Sequence, residues 1–484
     1  MQHSTFYERN APDPALVERT LVGTAFGVHW LDAAARAGLR AERAQLRGST
    51  AADLVVVGGG YLGLWTAVLA ARREPGRRIV VLEAARVGWA ASGRNGGWVD
   101  ASITHGEQNG RSRWPDEFET LERLGRENLD AFERDLAELG VDCGFARVGA
   151  LQLALEEHQV AWTQEAADGA DRVALSAEEA RARLHAPGVL GAALQSGRLV
   201  ATVDPARLVL ELAAAADRLG IEVYERSRVR ALSGEAGGVL LTTVGGATIR
   251  AGQVALATNA FPSLLARNRL MTIPVYDYAL MTEPLTSAQR EAIGWAGREG
   301  LGDLANQFHY AQITAEGRIL WGGYDAIHHA GGRIRARYED RPDLHRRLAA
   351  HFLALFPQLA PGGVDGGVRF SHRWAGVIDT STRFAAFYGT ARRGRVAYAA
   401  GFTGLGVGAT RFAAEVLLDL LGGEATERTE LEMVRRRGLP FPPEPAVSVG
   451  VAAMRAAMDA ADHREGRRGV FLRTMDAVGL GFDS

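Results

Sequence analysis

Gly58, Gly59, Gly60, Tyr61, Leu62 and Gly63 fit a G-x-G-x-x-G pattern, and Glu83 follows Gly63 by 20 residues. Each glycine has its own physical task. Gly58 permits a tight turn, Gly60 lets backbone approach a pyrophosphate, and Gly63 lets a helix pack close to the strand before it. A helix that starts at Tyr61 and Leu62 points N–H groups and a positive dipole end at phosphate. A carboxylate at Glu83 can accept ribose hydroxyls, and its charge repels a 2′-phosphate. The pattern signals a dinucleotide; by itself it does not separate NAD from FAD.

A second run narrows the choice. Residues 88–97 read Gly-Trp-Ala-Ala-Ser-Gly-Arg-Asn-Gly-Gly. The small residues, Ala91, Gly96 and Gly97 among them, let backbone amides reach a large flat ligand. Ser92 can bond a phosphate oxygen, and Arg94 can sit near a polarised ring edge. A merely flexible loop would not need these residue types. A third run, Gly401, Phe402, Thr403, Gly404, Leu405 and Gly406, lies near the other end of the chain.

These runs need elements to hold them. Residues 53–58 are an apolar run ending in glycine, as a strand buried on both faces of a parallel sheet would be. Residues 61–73 have helical composition, and Pro75 and Gly76 break the helix. Residues 78–83 form a second buried strand. Residues 114–140 and 204–219 read as helices, and 221–224 and 254–258 as strands. Residues 238–250 alternate around a Gly245–Gly246 turn. Residues 273–330 hold several strand-like pieces, 342–356 are helical up to Pro357, and 395–400 form a strand before the glycines. The next helix is read from Thr410 to Leu421.

Residues 56–64 and 91–97, with Asp204, Pro205, Val254 to Asn259, Thr282, Glu283, Pro284, Gly317 to Gly323 and the 401–406 run, resemble the D-amino-acid oxidase superfamily of FAD enzymes. The similarity is greatest to the branch of gamma-glutamylputrescine oxidase, glycine oxidase and sarcosine oxidase, and covers about residues 28–425. It implies an α/β protein: a Rossmann-like FAD-binding domain interrupted by a substrate domain with a mostly antiparallel sheet, plus a helical C-terminal tail. It implies that Gly58, Gly60, Gly63 and Glu83 hold the ADP half of FAD. Ser92, Arg94, Asn95 and Gly96 would lie along the pyrophosphate and flavin, Val229 would meet adenine, and Thr258 and Asn259 would pass near the phosphates. Gly401, Thr403, Gly404, Leu405 and Gly406 would run beside the pyrimidine side of the flavin, with the following helix aimed at the ring.

The implied reaction is hydride transfer from a C–H beside an amine nitrogen to flavin N5, giving an imine that hydrolyses. The flavin carries the redox chemistry and the protein supplies position and field. No strong general base is required, so no catalytic dyad is assigned; Arg94, His309 and Arg373 are the charged candidates. Tyr278, Tyr310, Gln312, Trp98 and Arg373 are the candidate substrate contacts. Relatives commonly clamp a carboxylate with tyrosine and arginine on the strand after residue 309. Here Tyr310 remains and Gln312 stands in place of the arginine, pointing to a neutral or different polar group on the substrate. The family's tethering cysteine is absent from residues 372–379, so FAD is expected to be non-covalent. The basic residues are all Arg. With no lysine to help oxygen react, positive charge must come from Arg94, His309, His372 or Arg373. Oxygen is the expected acceptor. A dehydrogenase with another acceptor and a non-catalytic FAD-bound subunit are the alternatives; an NAD-dependent dehydrogenase would not need the 401–406 run.

Composition bounds the rest. With a net charge of -2, nothing in the composition suggests the concentrated basic surface of a nucleic-acid binder. The single Cys143 permits no intrachain disulfide and no multi-cysteine zinc site; it is read as a small buried residue, and no metal is expected. No apolar run reads as a membrane span, and with the lone cysteine this leads to a cytoplasmic expectation. The expected domains are an N-terminal extension (1–50, docked through 26–31), a discontinuous FAD-binding domain (51–110, 196–265 and 366–430), a substrate domain with a helical insertion (111–195 and 266–365), and a helical C-terminal extension (431–484). The extension mixes Ala and Met with charges of both signs, so it is read as packing on the enzyme surface.

Overall fold

The computed structural model describes residues 3–477; residues 480–484 of the C-terminal ending fall outside that range. Two large sheets divide the molecule. The first is built on a parallel core. Ser49–Val57 lies between Ile79–Leu82 and Thr248–Leu256, with Glu222–Tyr224 beyond the former. Val396–Ala400 pairs in parallel with the end of Thr248–Leu256. An antiparallel ribbon of Val229–Glu235 and Gly238–Thr243 continues the sheet on the other edge. Leu54, Val55, Val56, Val80 and Val81 are fully buried, as the unbroken apolar runs require.

The helices Tyr61–Arg73, Pro205–Arg218 and Gly406–Gly422 pack on one another over this sheet. The last begins at Gly406, four residues before the position read from sequence, so the third glycine run leads straight into it. Asp204 caps Pro205–Arg218 by accepting the Arg207 N–H at 3.0 Å.

The second sheet has nine strands and is antiparallel except at two pairings, Ala25–Phe26 with Phe370–Ser381 and Gly300–Asp303 with Ala150–Ala154. Thr272–Thr282 and Phe370–Ser381 form its longest ladder. Phe370–Ser381 therefore belongs to this sheet, and the chain returns to the flavin-side sheet only with Phe387–Ala391; a boundary at 366 is too early. The N-terminal extension is equally tied in. Ala25–Phe26 adds an edge strand, and Phe6, Tyr7 and Val17 join the core under the nine-stranded sheet.

Candidate flavin and substrate site

The turn after Ser49–Val57 shows why its glycines cannot be replaced. Gly58 has φ +120°, and a Cβ there would lie 2.3 Å from the Ala257 carbonyl oxygen. A Cβ on Gly63 would lie 1.9 Å from the Gly58 carbonyl oxygen, so the helix rests directly on the turn. Gly60 faces Ser92, whose Oγ would be 2.8 Å from an added Cβ and accepts the Tyr61 N–H at 3.0 Å. A hydroxyl therefore already bonds the N–H where phosphate oxygens are expected. Glu83, 7% exposed, is fixed at the end of the second strand by the N–H groups of Gly59 and Ala85, each at 2.7 Å. Burial raises its carboxyl despite these donors.

The 88–97 loop is stapled by one side chain. Asn95 donates to the Ala91 and Ser92 carbonyls and accepts the Gly97 N–H at 2.8 Å. Arg94 donates to the Trp89 and Ala375 carbonyls and is ion-paired with Glu339. The third run is held by an acid that sequence reasoning missed. Asp379, 3% exposed, accepts the Gly401 N–H, and burial pushes its carboxyl up to about 7 against the pull of the Gly401 and Phe402 amides. Thr403 (φ +51°) donates to the Gly401 carbonyl and accepts the Ser381 N–H. His105, also missed, is half-buried on the cavity wall near this loop, 3.8 Å from where a Gly404 Cβ would stand. A buried acid in a strand and a histidine after a loop have no spacing signature.

Most of the residues expected to bind the cofactor line one continuous cavity of about 3010 Å³. Gly58, Gly60, Tyr61, Leu62, Glu83, Ala91, Ser92, Arg94, Asn95, Gly96, Gly97, Val229, Thr258, Asn259, Thr403, Gly404, Leu405 and Gly406 are on its wall. Gly63 and Gly401 lie behind it, one against the Gly58 carbonyl and the other against Ser381 and Phe387. Two glycine turns, a ribose-reaching acid, a shielded trench and two helix N-termini meet the needs of FAD. Cys143 is 1% exposed, stands away from the wall, and has its thiol pushed up to about 12 by burial.

The cavity continues under the nine-stranded sheet, where the substrate-side expectations divide. Trp98 and Tyr310 are on the wall. Tyr278 is not: it is fully buried on the opposite face of Thr272–Thr282, donating to the Tyr338 carbonyl at 2.7 Å. Successive side chains alternate faces, so its neighbours Asp277 and Ala279 face the cavity instead. Gln312 also leaves the wall. Its amide donates to the Gly96 and Val203 carbonyls and props the flavin-side loop from behind. Arg373 turns outward, bound to both oxygens of Asp340 and to the Thr24 carbonyl. His309 borders the cavity, but its ring is 1% exposed and locked between Asp303 at 2.7 Å and His351 at 2.9 Å. His372 sits off the wall, within 3.6 Å of Asp32.

The C-terminal extension does more than cover the surface. Val451, Met454, Arg455 and Met458 of the helix Ala446–Asp462 line the cavity, as do Phe471 and Met475 of Val470–Ala477. Asp462 accepts the Asn306 N–H and side-chain amide, Arg455 pairs with Asp325, and His463 pairs with Glu8 of the N-terminal extension. Helical periodicity showed the helix; only the fold shows what lies beneath it. Among the described residues no helix is long and apolar enough to cross a membrane, and no three acidic, histidine or cysteine side chains are placed to hold a metal ion.

Comparison with known proteins agrees with this geometry. Gamma-glutamylputrescine oxidoreductase of Escherichia coli is 29% identical over 428 residues, which span 85% of this chain and 93% of that protein. Among solved structures, glycine oxidase from Geobacillus kaustophilus superposes with a TM-score of 0.64 at 21% identity, covering 80% of this chain and 99% of its own. The L-alpha-glycerophosphate oxidase of Mycoplasma pneumoniae, solved with FAD bound, superposes at 0.63 with 14% identity, covering 81% of this chain and all of its own. At these identities the two structures speak to fold alone. The family model described as FAD dependent oxidoreductase (DAO) matches residues 53–420. With the glycine trench, Glu83 and the two helix starts in place, the chain belongs to this family of FAD-dependent oxidoreductases.

Proposed function

We propose that this enzyme oxidises the C–N bond of an amine or amino acid, giving an imine that water hydrolyses. The observation that carries the reading is continuity: the glycine-walled trench opens directly into a chamber under the nine-stranded sheet, with Trp98 and Tyr310 on its wall. FAD, when bound, supplies the hydride acceptor. The residues then have positional work. Asn95 and Gln312 hold the 94–97 loop, Asp379 holds the 401–406 loop, and the substrate is confined between the sheet face and the C-terminal helices. Such confinement excludes water and lowers the entropic cost of bringing a C–H to the acceptor. The Escherichia coli relative, named for a glutamylated polyamine, matches over nearly its full length and supports an amine reading. Cofactor contacts follow the wall residues given above, and Cys143, the lone cysteine, is not on that wall, which supports non-covalent FAD.

The electron acceptor is proposed to be oxygen, as the family resemblance implies. One observation favours a second reading, a dehydrogenase. Of the four cations expected to assist oxygen, Arg94 is paired with Glu339, Arg373 with Asp340, His309 is enclosed, and His372 lies off the wall. Anaerobic bleaching of the purified flavoprotein by primary amines, secondary amines and amino acids tests the reaction. No bleaching by any of them overturns it. Hydrogen peroxide release in air, set against reduction of an artificial dye, decides between the acceptors.

A further inference from the structure

Asp277 is a half-buried carboxylate whose open surface faces the chamber. It stands on Thr272–Thr282 between Val275 and Ala279, which line the same wall, while Tyr276 and Tyr278 point to the opposite, fully buried face. One of its oxygens, Oδ2, accepts the Tyr310 hydroxyl at 2.5 Å. Tyr310 is itself wedged between two glycines. A Cβ on Gly322 would be 2.6 Å from its ring, and one on Gly96 of the flavin-side loop would also be 2.6 Å away. The tyrosine therefore has one orientation available, and it carries that orientation from the 94–97 loop to Asp277.

Among the described residues, no arginine or histidine is within ion-pairing distance of Asp277. Arg94 is committed to Glu339 and Arg455 to Asp325, while Arg333 and Arg335 stand on the 331–338 loop, Arg333 exposed. Burial pushes the Asp277 carboxyl up to about 6, against the pull of the Tyr310 hydroxyl, the Tyr278 and Gly323 amides and the more distant His309. A carboxylate has about four acceptor positions; the Tyr310 hydroxyl and the Tyr278 and Gly323 amides engage three, which leaves one. A half-buried acid that faces a cavity is stabilised by a cation that arrives from it. Gln312, two positions along the strand from Tyr310, brings no charge and is spent on backbone carbonyls. Asp277 therefore offers the chamber a negative group that no arginine of the wall pairs with directly.

Building on the amine reading above, we infer that Asp277, held by Tyr310, is the anchor for an ammonium group of the substrate, which makes the preferred substrate class amines and diamines without an α-carboxylate. Asp277 is then a specificity-determining residue and Tyr310 a positioning residue.

The test uses the FAD-loaded wild type, Asp277→Asn and Tyr310→Phe, with 1,4-diaminobutane, butylamine and glycine as probes. Perturbation of the oxidised flavin absorbance gives the affinity for each probe, and anaerobic bleaching gives the reaction. The expected result is that wild type binds both amines more tightly than glycine. Asp277→Asn should weaken the amines about 10- to 100-fold and leave glycine unchanged, the range expected for losing one charge-assisted hydrogen bond. Tyr310→Phe should weaken the amines about 5-fold, and both variants should retain a full flavin complement. Equal amine affinity in Asp277→Asn and wild type overturns the inference. So does a wild type that favours glycine, or a Tyr310→Phe variant that loses glycine and the amines alike. Asp277-dependent amine binding with no bleaching by any probe leaves the anchor standing and overturns the proposed reaction instead.

Discussion

The trench and the chamber are two halves of one cavity made by different means. The trench is made of backbone: glycines whose missing Cβ atoms leave room for turns, a helix start and a ligand. The chamber is made of side chains brought together from distant segments, among them Trp98, Asp277, Tyr310 and Met458. Backbone sites are specified by short runs, because the turn and its glycines are neighbours in sequence. Side-chain sites are specified by register and by which face of a strand is turned inward. The trench therefore tolerates almost no change at a few positions, whereas the chamber can be rebuilt residue by residue on the same frame.

The largest effect is expected where the trench has least space. Gly63→Val places atoms within 2 Å of the Gly58 carbonyl oxygen position that even a Cβ approaches to 1.9 Å. It should abolish flavin retention, read as loss of visible absorbance in the purified protein. Full flavin content in this variant would break the contrast at its firmest point.

Next is Asp379, the side chain on which a backbone loop depends. An acid raised in the folded state keeps its proton where the unfolded chain has lost it. Stability of the apoprotein should therefore fall as pH rises from about 4 to 7. A shift from about 3.9 to 7 sets a scale on the order of 4 kcal/mol. Asp379→Asn should flatten that part of the pH profile of urea unfolding, even though Asp100, Asp204 and Asp277, each pushed up to about 6, add slopes of the same sign. An unchanged wild-type slope in the variant would remove Asp379 from the account.

Gln312→Ala sharpens the comparison from the other side, since this chamber strand supports the trench. Losing donors to two carbonyls should cost about 1–3 kcal/mol in thermal unfolding and weaken FAD binding. A loss of amine affinity with FAD binding intact would return Gln312 to the substrate. The smallest effect is expected at Cys143. Cys143→Ala should leave flavin release on denaturation unchanged; flavin that stays with the wild-type polypeptide after denaturation would show a covalent tether.

Legibility followed the same division. The 58–63 and 88–97 runs placed the trench because local chemistry demanded those residues. Strand-like pieces within 273–330 were visible, but not which face turns inward: Tyr278 was the candidate substrate contact, and the cavity received Asp277. A one-residue difference in phase exchanges the buried face for the functional one. Gln312 was read as a substrate contact, yet its amide reaches two carbonyls far away in sequence. Asp379 and the cavity-lining methionines of Ala446–Asp462 were not foreseen, because nothing nearby in the chain marks them.

That last helix has a consequence for how the protein matures. The flavin-side elements are complete once the chain reaches Gly422, and Ala446–Asp462 and Val470–Ala477 are made after them. Synthesis proceeds from the N-terminus, and domains fold as they emerge. The cofactor can therefore enter an open trench, and the helices that line the chamber can dock afterwards, joined to an earlier-made segment through Glu8 and His463. The order of translation becomes an order of assembly: the vessel is filled before it is closed.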